Sequence, residues 1–155
     1  MPGGTFILKD HGSRPLIMIS AGIGVTPIMS MIDSLANSYN EKDTQTIVCI
    51  AIERSPEEHA MKDHIDKLVG KGMLTESHVF YTRHSGETTN LCNTHVHIGR
   101  PTVDSFSKIV SKQLLTEAEF YFCGPEMFMN DFKEILDTLK VEKNQRHTGR
   151  FGPEI

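Results

Sequence analysis

A doubly wound α/β domain, with a parallel sheet between two layers of helices, is the fold class this sequence predicts. Three observations carry the prediction. Short apolar runs alternate with longer segments whose apolar residues recur at helical spacing. No segment repeats another, which excludes a solenoid. Two of the apolar runs, ending in Ala21-Gly22 and Cys123-Gly124, pass directly into glycine turns that open a helix. Such alternation implies parallel strands joined by right-handed crossovers, with helices on both faces.

The elements follow in order. Residues 4–8 (GTFIL) alternate enough for a short strand, and residues 9–15 are rich in turn formers. Residues 16–20 (LIMIS) form an apolar run of strand length, the pattern of a strand buried on both faces. A helix is expected after Thr26, which has the side chain of an N-cap, with Pro27 at the favoured first position. Met29, Ile32, Leu35 and Ala36 supply its buried stripe. Residues 46–52 (TIVCIAI) read as a second buried strand. Pro56 opens a second helix, with Met61, Ile65, Leu68 and Val69 on one side and charged residues elsewhere. Residues 78–82 (HVFYT) are a third strand, and residues 83–101 read as a long polar connection. One helix over 104–115, a fourth strand over 119–123 and a last helix over 125–139 complete a Rossmann-type sandwich. The tail, 145–151, is placed as a final strand.

Composition narrows the function classes. The chain has 155 residues, enough for one domain with a real core. Charged residues make up 23% and hydrophobic residues 38%, which suits a soluble globular protein. No apolar run approaches the roughly 18 residues that span a bilayer, and no basic-then-apolar signal opens the chain. No membrane role is therefore expected. The net charge of −4, with both signs interspersed, argues against a nucleic-acid partner. Cys49, Cys92 and Cys123 are odd in number, far apart and without a CxxC, which points away from disulfides and zinc. A reducing compartment, the cytoplasm, is expected.

Ligands of open α/β sheets sit beyond the C-terminal strand ends, beside the first strand. Gly22 and Gly24 fall at that end. Lacking a Cβ, each permits positive φ or close approach of a phosphate. The helix behind them adds unpaired N–H groups and about half a positive charge. Pro27 replaces the third glycine of the usual dinucleotide fingerprint, so the turn alone reads equally as a plain connection. FYFCGPEMFM (120–129) ends a second strand in the same manner, which brings Cys123 to the same sheet edge. Taken alone, a small buried Cys there is more often core than functional. The tail HTGRFGPEI adds an aromatic ring, whose plain reading is a hydrophobic latch.

Together these three pieces resemble the pyridine-nucleotide domain of ferredoxin–NADP reductase-like flavoenzymes. The details are most similar to the flavohaemoglobins, the nitric oxide dioxygenases. GTFIL, RPLIMISAGIGVTPIMSMI, ERSPEEHAMKDHI, YFCGPEMFM and RHTGRFGPE carry the resemblance over nearly the whole chain. Arg54, His59, Ala60, Asp63 and His64 form a pattern specific to that branch.

The resemblance implies that Gly22, Ile23, Gly24, Val25, Thr26 and Pro27 hold the pyrophosphate of NADH or NADPH. Cys123, Gly124 and Pro125 would border the nicotinamide, and Glu126, Met127 and Phe128 would frame the ribose and diphosphate. Arg150, Phe151, Gly152 and Pro153 would face FAD carried by a neighbouring domain. Glu53 and Arg54 end the second strand, where such folds meet the adenosine ribose. A carboxylate there accepts from a free 2′-hydroxyl, whereas an arginine receives a 2′-phosphate. Strand alternation is expected to point the two apart, and NADH is expected over NADPH. No catalytic acid, base or nucleophile is expected, because hydride chemistry belongs to the cofactors. Relatives carry a glutamate at the position of Gly149, which puts any role of that carboxylate in doubt here.

Neither the Arg-x-Tyr-Ser flavin motif nor a globin domain is present. The expectation is the C-terminal reductase part of a longer flavohaemoglobin, whose FAD and globin domains hold the flavin and haem, and which is inactive alone. The alternatives are a reductase serving an iron–sulfur partner and a non-catalytic nucleotide-fold docking module. Among the eight histidines, His95 and His97 would share a face in a strand, but no third ligand of a zinc pattern lies near in sequence. They read as loop histidines, and no metal site is expected. Met29, Met31, Met127 and Met129 read as core fillers, and Lys108 and Lys112 as a solvated helix face.

Overall fold

Leu16–Ala21 is buried along its whole length, and its alternate side chains enter two separate cores. Ile17 and Ile19 join one cluster, Leu16 and Met18 the other. A two-residue period demands this split of a strand covered on both faces. The computed structural model describes residues 14–22, 25–37, 46–55, 62–83 and 93–150, with 25–26, 34–37 and 149–150 as backbone alone.

Within them β1 (Leu16–Ala21), β2 (Ile47–Glu53), β3 (Glu76–Tyr81), β4 (Thr94–Ile98), β5 (Glu119–Gly124) and β6 (Arg146–Arg150) form one sheet. Its order is β4-β3-β2-β1-β5-β6, and every pairing is parallel. Helices α1 (Val25–Asn37) and α2 (Lys62–Gly70) contribute Ile28, Ile32, Ile65 and Leu68 to the Leu16 side. On the Ile17 side, α3 (Val103–Ile109) and α5 (Glu126–Thr138) contribute Phe106, Phe132 and Leu136. The doubly wound architecture is therefore as expected. Each such buried side chain stabilises by about 1.5–3 kcal/mol, so Phe132→Ala would cost roughly 3–5 kcal/mol.

Four local expectations need correction. α1 begins at Val25, so Thr26 lies within the helix and is not its cap. Residues 83–101 contain β4, and the sheet gains an edge strand where a plain connection was expected. Two bonds to the Asp66 carboxylate on α2, from the Asn93 N–H (2.8 Å) and the Thr94 hydroxyl (3.0 Å), hold the start of β4. The single helix over 104–115 is two helices, α3 and α4 (Lys112–Glu117). Val110 is extended between them, and the Ser111 hydroxyl accepts from the Leu114 N–H, which starts a new helix instead of prolonging the old one. Met127 is no core filler: it is 77% exposed. The expected strand over residues 4–8 and the start of the second helix, Pro56 to Met61, lie outside the described residues.

Gln145 anchors the tail strand. Its Nε2 donates to the carbonyls of Leu115 (3.1 Å), Thr116 (3.0 Å) and Ala118 (2.8 Å), closing the end of α4. Its Oε1 accepts from the Glu142 N–H at 3.0 Å. One buried amide thus serves three carbonyls at the end of α4, and leads directly into β6.

Candidate functional site

β1 and β5 run side by side, Ser20 opposite Cys123, and a helix is the next element in the chain after each. Strand order reverses at β1: β2, β3 and β4 extend to one side, β5 and β6 to the other. This is the switch point at which open sheets leave a crevice. A crevice of ≈ 1020 Å³ opens there. Ala21 and Gly22 line it after β1, Ile52, Glu53 and Arg54 after β2, and Thr82 and Arg83 after β3. Arg100 follows β4, and Pro125, Met127, Phe128 and Asp131 close the side formed by α5.

Gly22 has φ +57, and a Cβ there would meet nothing within 4 Å. Among the described residues the glycine therefore answers to the left-handed backbone and not to crowding. Pro125, at the crevice wall, opens the 13-residue α5 without a side-chain cap of its own, a helix start suited to an anion. Arg54, Arg83 and Arg100 add cationic groups at three strand ends. An open backbone bend, an uncapped helix start and guanidinium groups together fit an anionic dinucleotide.

The structure thus gathers Gly22, Glu53, Arg54, Pro125, Met127 and Phe128 around one space. Glu53 and Arg54 both border it, although alternation was expected to separate them: Glu53 ends β2 buried, while Arg54 lies past the strand and is exposed. The pleat no longer dictates direction once the strand has ended. Cys123 is not in the crevice wall. It is 1% exposed, packed in the cluster beneath α1, and burial pushes its thiol up to about 11. A thiol so placed stays protonated at neutral pH and is no nucleophile. Gly124 lies under the Phe128 ring, and Glu126 is an exposed residue of the first turn of α5. Pro27 is half-buried in α1, and β6 brings the Arg150 backbone opposite Gly124. Ile23, Gly24, Phe151, Gly152 and Pro153 lie outside the described residues, as do the side chains of Val25, Thr26 and Arg150.

Sequence reasoning missed Arg83, Arg100 and Asp131. Arg83 follows a recognisable strand closely enough to have been found by position. Arg100 needed β4 to be known first.

A parallel sheet of this order, with a ligand-sized crevice at the switch point, defines a nucleotide-binding α/β domain. The chain belongs to the oxidoreductase NAD-binding domain family, whose model matches residues 18–134. Its curated relatives include flavohemoproteins. That of Deinococcus radiodurans is 32% identical over 153 residues, covering 99% of this chain and 36% of the relative. This chain therefore spans about a third of the length of such relatives. Among solved structures, the FAD/NAD-binding domain of a nitric oxide dioxygenase from Vibrio cholerae superposes with a TM-score of 0.75 at 24% identity. That match covers 97% of this chain and 55% of the other. A flavohemoglobin from Malassezia yamatoensis, solved with bound FAD and heme, gives 0.71 at 24% identity, over 94% of this chain and 33% of that one. At such identities the solved structures speak for the fold. Among the described residues no helix is long and apolar enough to cross a membrane.

Proposed function

We propose that this domain binds NADH in the crevice and presents its nicotinamide to FAD held by a neighbouring domain of a longer flavohaemoglobin. Electrons would pass on to haem in a globin domain of the same cytoplasmic protein, for nitric oxide dioxygenation. The observation that carries the reading is the convergence of the Gly22 turn, the start of α5 and the end of β6 on one sheet edge. The likeness to the Deinococcus radiodurans flavohemoprotein over 99% of the chain supports the assignment of the whole protein.

On this reading residues 22–27 receive the pyrophosphate, and Gly124 and Pro125 border the nicotinamide, with Cys123 buried behind them as their support. Glu126, Met127 and Phe128 frame the ribose and diphosphate, and residues 150–153 run towards the flavin. NADH held here would supply the hydride, and FAD in the neighbouring domain would accept it. This chain's residues bind, orient and exclude water. Cys123 acts as a positioning residue, and no side chain need take up or release a proton. NADH titration of the chain, followed by stopped-flow flavin reduction in the full-length protein, tests the reading. Cys123→Ala should slow flavin reduction about tenfold with little change in NADH affinity. A folded chain that binds no NADH would instead be a docking module.

A second reading concerns the cofactor alone. Arg54, Arg83 and Arg100, at the ends of three adjacent strands, favour a 2′-phosphate and hence NADPH.

A further inference from the structure

Outside the crevice, imidazoles and a carboxylate meet on the face shared by β3 and β4. His78 stands directly opposite His95, and Phe80 opposite His97, so these four side chains project to the same side of the sheet. His78 is buried at 6% exposure, while Glu76 is half-buried and His95 exposed. The His78 and His95 rings stack with centroids 4.7 Å apart. Nε2 of His78 lies 3.4 Å from Oε1 of Glu76, and its Nδ1 lies 3.0 Å from Nε2 of His97. One donor atom from each of Glu76, His78 and His95 falls within 4.8 Å of the other two.

We infer that Glu76, His78 and His95 form a three-ligand site for a divalent ion of the zinc class. Bonds of about 2.0–2.1 Å in a tetrahedral site hold ligand atoms roughly 3.4 Å apart. Nε2 of His78 and Oε1 of Glu76 already stand at that spacing, and an ion would draw the His95 donor in from within 4.8 Å. Two imidazoles and one carboxylate are a donor set that suits zinc and leaves a fourth position open. His97 supplies the outer contact: a hydrogen on His78 Nδ1 donated to His97 Nε2 leaves the His78 Nε2 lone pair facing Glu76. Stacking on Phe80, with centroids 4.6 Å apart, fixes His97 in turn.

No residue of this cluster lines the nucleotide crevice, so the inference stands apart from the proposed function. An ion here would clamp the edge strand β4 to β3. The site escaped the sequence because its ligands come from two strands: His95 and His97 lack a third ligand nearby, and Glu76 and His78 supply the missing partners only after pairing.

Zinc titration of the untagged, chelator-stripped chain, with a chromophoric competitor, tests the site. The wild type should take up one saturable equivalent and gain thermal stability. Glu76→Gln and His95→Ala should each weaken that uptake by roughly 100-fold, and His97→Ala by about tenfold. On zinc addition, ¹⁵N shifts of His78 should report a hydrogen on Nδ1 alone. Unfolding in EDTA checks that the variants remain folded, and His95 is exposed enough to be replaced without loss of core. Wild-type zinc affinity in folded Glu76→Gln and His95→Ala proteins, or no saturable uptake by the wild type, overturns the site.

Discussion

A Cβ built on Gly124 would lie 2.5 Å from Cδ2 of Phe128 and 3.1 Å from the Cβ of Ala21. The Phe128 ring thus rests against the end of β5, and the glycine is what lets it do so. This packing requirement is independent of any bound nucleotide. Gly124→Ala should drive the ring towards the crevice, cost about 1–3 kcal/mol and weaken NADH binding. Adding Phe128→Leu should return part of the stability, a non-additivity that thermal unfolding of both single variants and the double variant measures. Strict additivity would place the ring elsewhere.

Cofactor preference turns on the end of β2. Glu53 is buried at the crevice edge and disfavours a second negative charge, whereas Arg54 attracts one. We expect NADH to bind more tightly than NADPH, and Glu53→Gln to narrow the gap. Competition titration of the two nucleotides reads this directly. Tighter NADPH binding, lost in Arg54→Ala, would assign the ribose to the arginine.

Gln145 is a stability determinant with no part in chemistry. Replacement by Ala leaves the carbonyls of Leu115, Thr116 and Ala118 without their donor. The expected cost is about 2–3 kcal/mol, read as a lower denaturant midpoint at unchanged slope. Gln145→Glu should be worse, because it sets a charge against three carbonyl oxygens.

The buried thiols should be silent in the native protein. Burial pushes Cys49 up to about 12 and Cys123 up to about 11. Both hold their protons more tightly folded than unfolded. Their contribution to stability is therefore complete below the ordinary value of 9.0 and lost as pH rises towards 11 to 12. In a Cys92→Ser background neither should react with a disulfide reagent at pH 8 until the chain unfolds. Rapid labelling of the folded protein would contradict their placement.

The elements that were legible from sequence are those whose own residues decide their burial. β1, β2 and β5 are apolar almost throughout, and only a sheet covered on both sides accommodates such runs. β4 was not legible, since its burial runs from buried Thr94 to exposed Ile98 and its two histidines fit a loop equally well. The break between α3 and α4 hides for a related reason: Ser111 passes as an ordinary helix residue until its hydroxyl is seen to cap. Gly22 and Pro125 could be placed at the crevice because strand ends follow from the strands. Arg100 and the Glu76–His78–His95 group depended on pairing between distant segments, which no local pattern encodes.

The position of β1 at the centre of the sheet bears on how the chain folds. One edge of β1 is filled by β2, close behind it in sequence; the other waits for β5. Arg14 and Glu117, which meet beside that second seam, are 103 positions apart. Closing a loop of that length precedes any reward from the strand pairing it permits, so docking of β5 should be a late and slow event. Until then Leu16–Ala21 offers an open row of backbone donors and acceptors flanked by apolar side chains, the kind of edge that captures other chains. The strand that builds the crevice is thus open to misassembly until β5 docks.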